Sequence, residues 1–344
     1  MQHEITAKGP LLDSAGRLAQ KGYAKGLILD YQRSAIKAAA HRIKDWDYYL
    51  VMGPSYAVAL TVADNSYMGL MSASLLDFKT GWQQTTSEMT FMPRGRTGLP
   101  QSSSAGVSEF HNKRVDFRFS AEGGRRTLFC RFAKFKGDSE FSCDIVLDDR
   151  QDDSMVIATP FEKDDKAFYY NQKINCMPAA GKASFGGREY IFEPENSFGT
   201  LDWGRGVWTY SNTWYWGSAS GSVGGKRFGF NIGYGFGDTS AASENMLFYD
   251  GKAHKLEGVS FNIPKDASGR DDFMSPWTFS SSDGRFTMDF VPVMDRVAVT
   301  SVLVIESNQH QVFGKFTGVA RLDDGTEIKI KDFMGFAEKV KNRW

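Results

Sequence analysis

The sequence predicts an all-β protein made of two antiparallel β-barrels in tandem. Three observations indicate this fold: many short segments that alternate apolar and polar residues, turn residues between these segments, and a long internal repeat. The alternation is clear in "RVDFRFSAEGGRRTLFCRFAKF" (residues 114–135), where Gly123 and Gly124 mark a turn. A chain of 344 residues is also more typical of two domains than of a single core.

The internal repeat joins residues 45–78 to residues 213–251. Each segment has an aromatic-rich strand, a short gap, an aromatic and glycine-rich strand, and a Ser/Ala-rich continuation. Residues 185–199 resemble residues 322–336 in the same way, which gives a period of about 160 residues and a seam near Trp208. Each repeat is long enough to close a barrel. We therefore predict an N-terminal extension with a helix (1–45), a first barrel domain (46–205) and a second barrel domain (206–344).

One segment before the strands has the pattern of a short helix. Residues 30–49, "DYQRSAIKAAAHRIKDWDYY", begin with Asp30 as a potential cap and contain three consecutive alanines, which favour helix. Apolar and basic residues fall on opposite faces of this predicted helix. It could pack on a domain with its charges in water, or make a peripheral contact with an anionic membrane surface.

Composition excludes several classes of function. Lys plus Arg and Asp plus Glu both number 41, so the formal net charge is zero and no basic stripe suits nucleic acid. No apolar run is long enough for a transmembrane helix, and the N-terminus lacks the apolar core of a signal peptide. The three cysteines have no CxxC spacing, which favours buried free thiols in a cytoplasmic protein, although Cys130 and Cys143 could face each other across a hairpin.

The sequence also lacks the patterns of common cofactor sites. The five histidines are scattered without metal-ligand spacing, and the acidic residues 148–156 lack the spacing of a calcium loop. "GSASGSVGG" precedes a predicted strand rather than a helix, so it does not fit a phosphate-binding loop. No GxSxG motif is present. We expect neither a metal nor an organic cofactor.

The most distinctive segment is "FGTLDWGRGVWTYSNTWYWGSASG" (residues 198–221), which holds four of the eight tryptophans. In a strand, Trp214 and Trp216 share one face with Ser218 and Ser220. Such a face can line an apolar ligand cavity or simply fill a core, and both alternatives stay open. Nearby glycines in "FGFNIGYGFGD" favour a cavity, because they weaken a strand unless something approaches it closely. The candidate ligand-binding residues are Trp203, Arg205, Trp208, Trp214, Trp216, Asn231 and Tyr234.

Two carboxylates are candidates for proton transfer. "DWGRG" reads as a turn in which Asp202 pairs with Arg205 and holds the domains together, or in which Asp202 is a proton donor among the indoles. Glu244 and Asn245 follow the glycine-rich strand and either contact a ligand or are solvated. Asn231 is unusual within a strand and would need a hydrogen-bond partner there. The candidate catalytic residues are Asp202, Glu244 and Asn245.

The tryptophan motif, "IKDWDYYLV", "GPLLDSAGRLAQKGYAKGLILDYQR" and "FGFNIGYGFGDTSAASENMLFYDGK" together resemble a bacterial family of unknown function. The resemblance runs nearly end to end. That family is distantly similar to the hydroxyneurosporene synthase (carotenoid 1,2-hydratase) group. The resemblance implies two lipocalin-like, calycin-type barrels, and it implies hydratase or cyclase chemistry on terpenoid substrates.

Two classes of function follow. The first is a cofactor-independent hydratase, isomerase or cyclase acting on an apolar lipid-like or terpenoid substrate in an aromatic-lined pocket, either within a barrel or between barrels. The second is a carrier or sensor that binds an apolar ligand without chemistry. An enzyme needs a carboxylate in contact with the ligand, whereas a carrier does not. The sequence leaves open whether the protein is an enzyme.

Overall fold

The computed structural model describes residues 2–302 and 305–343, and this part of the chain is almost entirely β-structure. The all-β class is therefore confirmed. The strands form two large antiparallel sheets that curl into half-barrels, together with one small parallel pair. None of the helical segments in the described part of the chain has the length and apolar character that crossing a bilayer requires.

The strands are numbered in chain order. The first fifteen are β1 (Gly9–Pro10), β2 (Gly22–Ala24), β3 (Leu29–Asp30), β4 (Ile43–Met52), β5 (Tyr56–Asp64), β6 (Met68–Asp77), β7 (Trp82–Phe91), β8 (Gly106–His111), β9 (Val115–Glu122), β10 (Arg125–Lys136), β11 (Ser139–Asp148), β12 (Met155–Phe161), β13 (Asp164–Phe185), β14 (Arg188–Phe192) and β15 (Phe198–Val207). The others are β16 (Ser211–Val223), β17 (Lys226–Tyr234), β18 (Met246–Tyr249), β19 (Lys252–Lys255), β20 (Val259–Asn262), β21 (Trp277–Ser281), β22 (Phe286–Val302), β23 (Ile305–Arg321) and β24 (Glu327–Arg343).

The first sheet has the order β7-β6-β5-β4-β15-β13-β11-β10-β9-β8; β12 and β14 also pair with β13, and β2 pairs with β12. The second sheet has the order β19-β18-β17-β16-β24-β23-β22-β21-β20. The chain leaves the first sheet where β15 ends at Val207 and enters the second where β16 begins at Ser211. How the chain divides into independent folding domains stays a prediction.

The predicted N-terminal helix over residues 30–49 is wrong. Two short 3₁₀ turns, Arg33–Ala35 and Ala40–Arg42, precede β4, which already begins at Ile43. Tertiary pairing overrides the local helix propensity, because β4 is paired with β5 on one side and β15 on the other. Nearly every residue of β4 is buried, whereas a surface helix would expose one face. The peripheral membrane contact that was considered as one alternative for this helix therefore loses its structural basis.

Among the described residues, the buried apolar side chains form three clusters. The first lies mainly against the first sheet and extends to β18 and β19, and the second lies against the second sheet. The third lies between the two sheets and joins Tyr48 and Leu50 of β4 to Trp216, Phe313 and Phe336 of the second sheet. Because side chains alternate along a strand, the central strands give one face to their own core and the other face to this interface.

The three cysteines are free and buried. Cys130 of β10 lies directly opposite Cys143 of β11 in the strand register. The hairpin arrangement considered for these two residues is therefore present, with both thiols reduced.

Candidate active site

Strand alternation in β15 separates the predicted site residues onto two faces of the first sheet. "DWGRG" was expected to be a turn, but it lies within β15, between β13 and β4. Asp202 points towards the second sheet, whereas Trp203 and Arg205 point into the interior of the first sheet. The expected ion pair between Asp202 and Arg205 is therefore wrong: Asp202 pairs with Lys173, and Arg205 pairs with Asp47.

Buried charged side chains meet between the two sheets: Lys173 and Asp202 come from the first sheet, and Glu244 and Glu338 come from the second. We call these four residues the inter-sheet acid cluster. The Lys173 Nζ lies 2.8 Å from the Asp202 carboxylate and 3.8 Å from the centroid of the Trp216 ring. The ammonium therefore has an ion-pair partner on its own sheet and an aromatic face on the other sheet.

Glu338 enters the cluster from β24, where it lies opposite Trp216 of β16. The Trp214 indole donates a hydrogen bond to Glu338 Oε1 at 3.0 Å, and the Gln311 amide donates to Oε2 at 3.1 Å. Burial raises the pKa of Glu338 to about 7, although the Trp214 hydrogen bond and the Lys173 charge act in the opposite direction. Glu338 therefore exchanges its proton near neutral pH.

Glu244 reaches the same cluster from the loop between β17 and β18. Gly233 leaves room for its carboxylate, because a Cβ at Gly233 would lie 2.6 Å from Glu244 Oε1. The Asn231 amide donates to the Glu244 backbone carbonyl at 2.8 Å and to Oε2 at 3.4 Å. Burial raises the pKa of Glu244, while Lys173 and the Asn231 hydrogen bond oppose that rise.

Asn231 has the hydrogen-bond partners that a buried amide in a strand requires. In addition to its bonds to Glu244, its side-chain oxygen accepts a hydrogen bond from the Trp216 indole at 2.7 Å. Asn231 thus connects an indole to a carboxylate, and it fixes the position of both. Its contact with a ligand stays a prediction.

The charges of the cluster act on one another and on a nearby phenol. Lys173 and Asp202 both influence the pKa of Glu244 and that of Glu338. Burial raises the pKa of Tyr169, and the negative charges of the three carboxylates raise it further. Within the described residues, Lys173 is the cation that forms an ion pair inside the cluster. Lys255 also acts on Glu244 and Arg296 on Glu338, but burial outweighs these cations, which favours a state in which at least one of the carboxyl groups keeps its proton.

Aromatic rings cover the cluster on one side, and their centre is Phe236. We call this group the aromatic cluster. Trp214 is half-buried within it and links it to the acids through the hydrogen bond to Glu338. Within the aromatic cluster, the centroids of neighbouring rings lie between 4.8 and 6.2 Å apart. The members are Trp46, Phe161, Tyr169, Trp208, Trp214 and Phe236.

The opposite face of β15 has a different character. Arg205 donates to Asp47 at 3.0 Å and to the Pro100 carbonyl at 2.8 Å, and its guanidinium lies 4.3 Å from the centroid of the Trp203 ring. Nearby, Arg126 forms an ion pair of 2.6 Å with Asp149. A small cavity beside these groups has room for ordered water but not for a ligand. The interior charge cluster, as we call it, consists of Asp47, Arg126, Asp149 and Arg205.

Two further predicted residues lie outside the acid cluster. Tyr234 stacks on Tyr215 with ring centroids 4.5 Å apart, next to the core of the second sheet. Asn245 accepts a hydrogen bond from the Gly233 backbone at 2.7 Å and donates to the Glu257 carbonyl at 2.9 Å. These bonds hold the loop that carries Glu244. A ligand-binding role for Tyr234 and a catalytic role for Asn245 stay predictions.

Sequence reasoning missed Lys173 and Glu338. Glu338 has no motif, since it is one of several charged residues in the last strand, and its importance comes only from its register opposite Trp216. Lys173 did leave a signal: it lies in "YYNQKIN", where Asn, Gln and Lys are consecutive within a strand that is almost fully buried. Consecutive polar residues in a buried strand indicate a polar interface on at least one face. Among the described residues, no group of three or more His, Cys, Asp or Glu side chains is placed to hold a metal ion.

Fold and site together define an all-β protein of two curled antiparallel sheets with a buried acid cluster between them. The chain belongs to the family described as "Domain of unknown function (DUF2804)", whose profile matches residues 2–344. A search of the curated proteins found no match.

Solved structures resemble the fold. A protein provisionally assigned as AttH from Nitrosomonas europaea aligns with a TM-score of 0.50 and 12% identity, over 90% of this chain and 96% of that one. Kievitone hydratase from Nectria haematococca aligns with a TM-score of 0.46 and 12% identity, over 88% of each chain.

Proposed function

We propose that this protein is a cofactor-independent acid–base enzyme, a hydratase, isomerase or cyclase, that acts on an apolar lipid-like or terpenoid substrate at the inter-sheet acid cluster. We further propose that the two sheets are two tandem lipocalin-like barrels and that the protein works in the cytoplasm. The observation that carries the proposal is Glu338, a buried carboxyl group with a pKa raised to about 7, held by an indole and within electrostatic reach of Asp202 and Lys173.

A carboxyl group of this kind suits general acid catalysis at neutral pH. Catalytic efficiency is greatest when the pKa of the acid lies near the working pH, because the protonated form is then populated and is still acidic enough to transfer its proton. An ordinary glutamic acid with a pKa near 4.5 is almost fully ionised at pH 7. Glu338 is not, and the indoles of Trp214 and Trp216 provide the apolar surroundings that an alkene requires.

The cluster can complete a hydration without a cofactor. Protonated Glu338 gives its proton to one alkene carbon, and the oxygen of water bonds to the other carbon. Glu244 takes up the proton that this water releases, and proton exchange with solvent restores both groups. In an isomerisation, Glu338 adds a proton at one carbon while Glu244 removes one from another, and water is not consumed. Asp202 and Lys173 act as positioning residues that set the charge around the two glutamates.

The test uses isotopic water. The purified protein is incubated with an apolar extract of its host in H₂¹⁸O and, separately, in D₂O, and the extract is analysed by mass spectrometry. We expect a species that gains one ¹⁸O for a hydratase, or deuterium alone for an isomerase. Glu338→Gln and Glu244→Gln should each abolish the labelling. Glu327→Gln, at an exposed ion pair with Arg321, is the matched control and should label like the parent.

A carrier of apolar ligands is the second candidate, because the aromatic cluster could bind such a ligand without any proton transfer. In that case the same incubation would deplete a lipid from the extract without incorporating either isotope. The Gln variants would then deplete it as well as the parent does. This outcome would contradict the enzyme proposal and favour the carrier.

A further inference from the structure

The ring of Phe236 occupies the middle of the aromatic cluster. Its centroid lies 4.8 Å from that of Tyr169, 4.9 Å from Trp208, 5.3 Å from Trp214 and 5.3 Å from Phe161. The interplanar angles are 75–84°, so each neighbour meets Phe236 in an edge-to-face arrangement. The four surrounding rings form a cage, and the space that they enclose is filled by a single phenyl ring.

The backbone that carries this ring is unusual. Gly235 and Gly237 flank Phe236 with φ angles of +93° and +77°, a conformation that disfavours other residues. Side chains are also excluded there, since a Cβ at Gly235 would lie 2.7 Å from the Thr213 carbonyl and one at Gly237 would lie 2.6 Å from a methyl of Thr159. Phe236 follows the end of β17 and lies outside the strand ladders. Its ring therefore depends on a two-glycine connection rather than on sheet pairing.

The cage is connected to the inter-sheet acid cluster through two of its rings, Trp214 and Tyr169, and through the loop that carries Phe236. The Trp214 indole contacts Phe236 with its ring and donates to Glu338 with its nitrogen. Tyr169 contacts Phe236 and lies within the electrostatic reach of all three carboxylates. Glu244 belongs to the same connecting loop as Phe236, between β17 and β18. A ring in the position of Phe236 is thus linked to the proposed acid through the Trp214 indole, and it lies on the same loop as the proposed base.

We propose that the Phe236 cage is the binding site for the reactive part of the substrate, a neutral, flat, unsaturated or aromatic ring, and that Phe236 occupies this site until the substrate displaces it. The inference rests on the proposed function and names the substrate class for it. The cage accepts a neutral ring because a phenyl group already fits it. The nearby carboxylates repel an anionic ring.

Phe236→Ala in the full chain should vacate the cage. The probe is phenol, a single neutral ring with one hydroxyl, and binding is followed by tryptophan fluorescence and by the rise in Tm. We expect phenol to bind the variant at least about tenfold more tightly than the parent. Benzoate and tetramethylammonium should show no such gain. Equal phenol affinity in variant and parent, or a preference for tetramethylammonium, would overturn the proposal.

Phe261→Ala is the matched control, because Phe261 is as buried as Phe236 but packs against Tyr215, Tyr234 and Phe279 in the core of the second sheet. Adding Glu338→Gln should change the phenol affinity of the Phe236→Ala protein several-fold and leave that of the Phe261→Ala protein unchanged. An equal effect in both backgrounds would show that the cage does not open onto the acid.

If circular dichroism shows that Phe236→Ala does not fold, Phe236→Leu replaces it, since leucine keeps most of the packing. The same order of probes is expected with a smaller gain, and absence of that order would overturn the proposal. These measurements use binding alone. Phenol binding that depends on Glu338, in a protein that incorporates no isotope, would contradict the enzyme proposal and support the cage, whereas isotope incorporation without phenol binding would do the reverse.

Discussion

The two faces of β15 bury charge in opposite ways. On the interior face, Arg205 pairs with Asp47 at 3.0 Å, and nearby Arg126 pairs with Asp149 at 2.6 Å. On the face towards the second sheet, Lys173 pairs with Asp202, while two glutamates are close by with raised pKa values. The charges on the interior side of this strand are therefore paired directly, whereas the group on the other side includes two buried glutamates with raised pKa values.

This difference separates buried charges that stabilise the fold from buried acids that could transfer a proton. In the interior charge cluster, each guanidinium has its own carboxylate and backbone carbonyls, so its charges are compensated where they are. In the inter-sheet acid cluster, burial raises the pKa of Glu244 and Glu338, and the nearby cations Lys173, Lys255 and Arg296 oppose that rise without cancelling it. Charges that are paired directly fix a conformation, whereas a buried acid whose pKa stays raised can hold a transferable proton.

The largest expected effect on the unfolding free energy comes from breaking an ion pair of the interior charge cluster. Arg205→Met should cost roughly 3–5 kcal/mol of unfolding free energy, because Asp47 would be left buried without its partner. Urea denaturation followed by tryptophan fluorescence measures this. Arg118→Met, at the exposed ion pair with Glu109, is the control and should cost less than about 1 kcal/mol. A similar small loss for Arg205→Met would contradict a structural role for the interior cluster.

The inter-sheet acid cluster should make the unfolding free energy depend on pH. Folding raises the pKa of Glu338 from 4.5 to about 7, so between these pH values the folded protein holds a proton that the unfolded chain has lost. Stability from this group is therefore present at low pH and falls as the pH rises towards 7, by about 3 kcal/mol. Glu338→Gln lacks this dependence.

The measurement is the unfolding free energy of parent and variant at several pH values from 4.5 to 8. Their difference should shift in favour of Glu338→Gln as the pH rises and should level off above 7. Subtracting the two curves removes the titration of other carboxylates. A difference that stays constant over this range would show that Glu338 is ionised throughout and would weaken its role as a proton donor.

The fold class could be predicted because strand alternation and glycine turns are local signals, as in residues 114–135. The helix over residues 30–49 failed because β4 owes its conformation to β5 and β15, which lie elsewhere in the sequence. For the site, Asp202 is linked to the Trp216 indole through Lys173, and Glu244 is linked to it through Asn231. Their partners Lys173 and Glu338 come from β13 and β24, and only the register across two sheets brings them together.

Two tryptophans, one on each side of the first sheet, allow a second comparison of the two faces. Trp203 is fully buried between Tyr31 and Tyr170, so Trp203→Ala should cost roughly 3–5 kcal/mol. Trp214 is half-buried, so Trp214→Ala should cost about 1–2 kcal/mol. The loss of its hydrogen bond should also raise the pKa of Glu338. Thermal unfolding and binding of an apolar fluorescent dye distinguish the two variants: a large stability loss with unchanged dye binding for Trp214→Ala would assign this indole to the core.

The smallest effect on stability is expected for Asp202→Asn. The amide keeps the shape of the carboxylate, and Lys173 still has Glu244 and Glu338 within its electrostatic reach, so the cost should be about 1 kcal/mol.

The pKa of Glu338 should respond more clearly. Asp202 raises that pKa and Lys173 lowers it, so neutralising Asp202 leaves the ammonium free to stabilise the ionised glutamate, and the pKa falls. Lys173→Met should move it in the opposite direction. Titration of ¹³C-labelled glutamate side chains by NMR measures both shifts. Shifts of the same sign in the two variants would show that Lys173 and Asp202 do not set the charge around Glu338, and the positioning role given to this pair would be wrong.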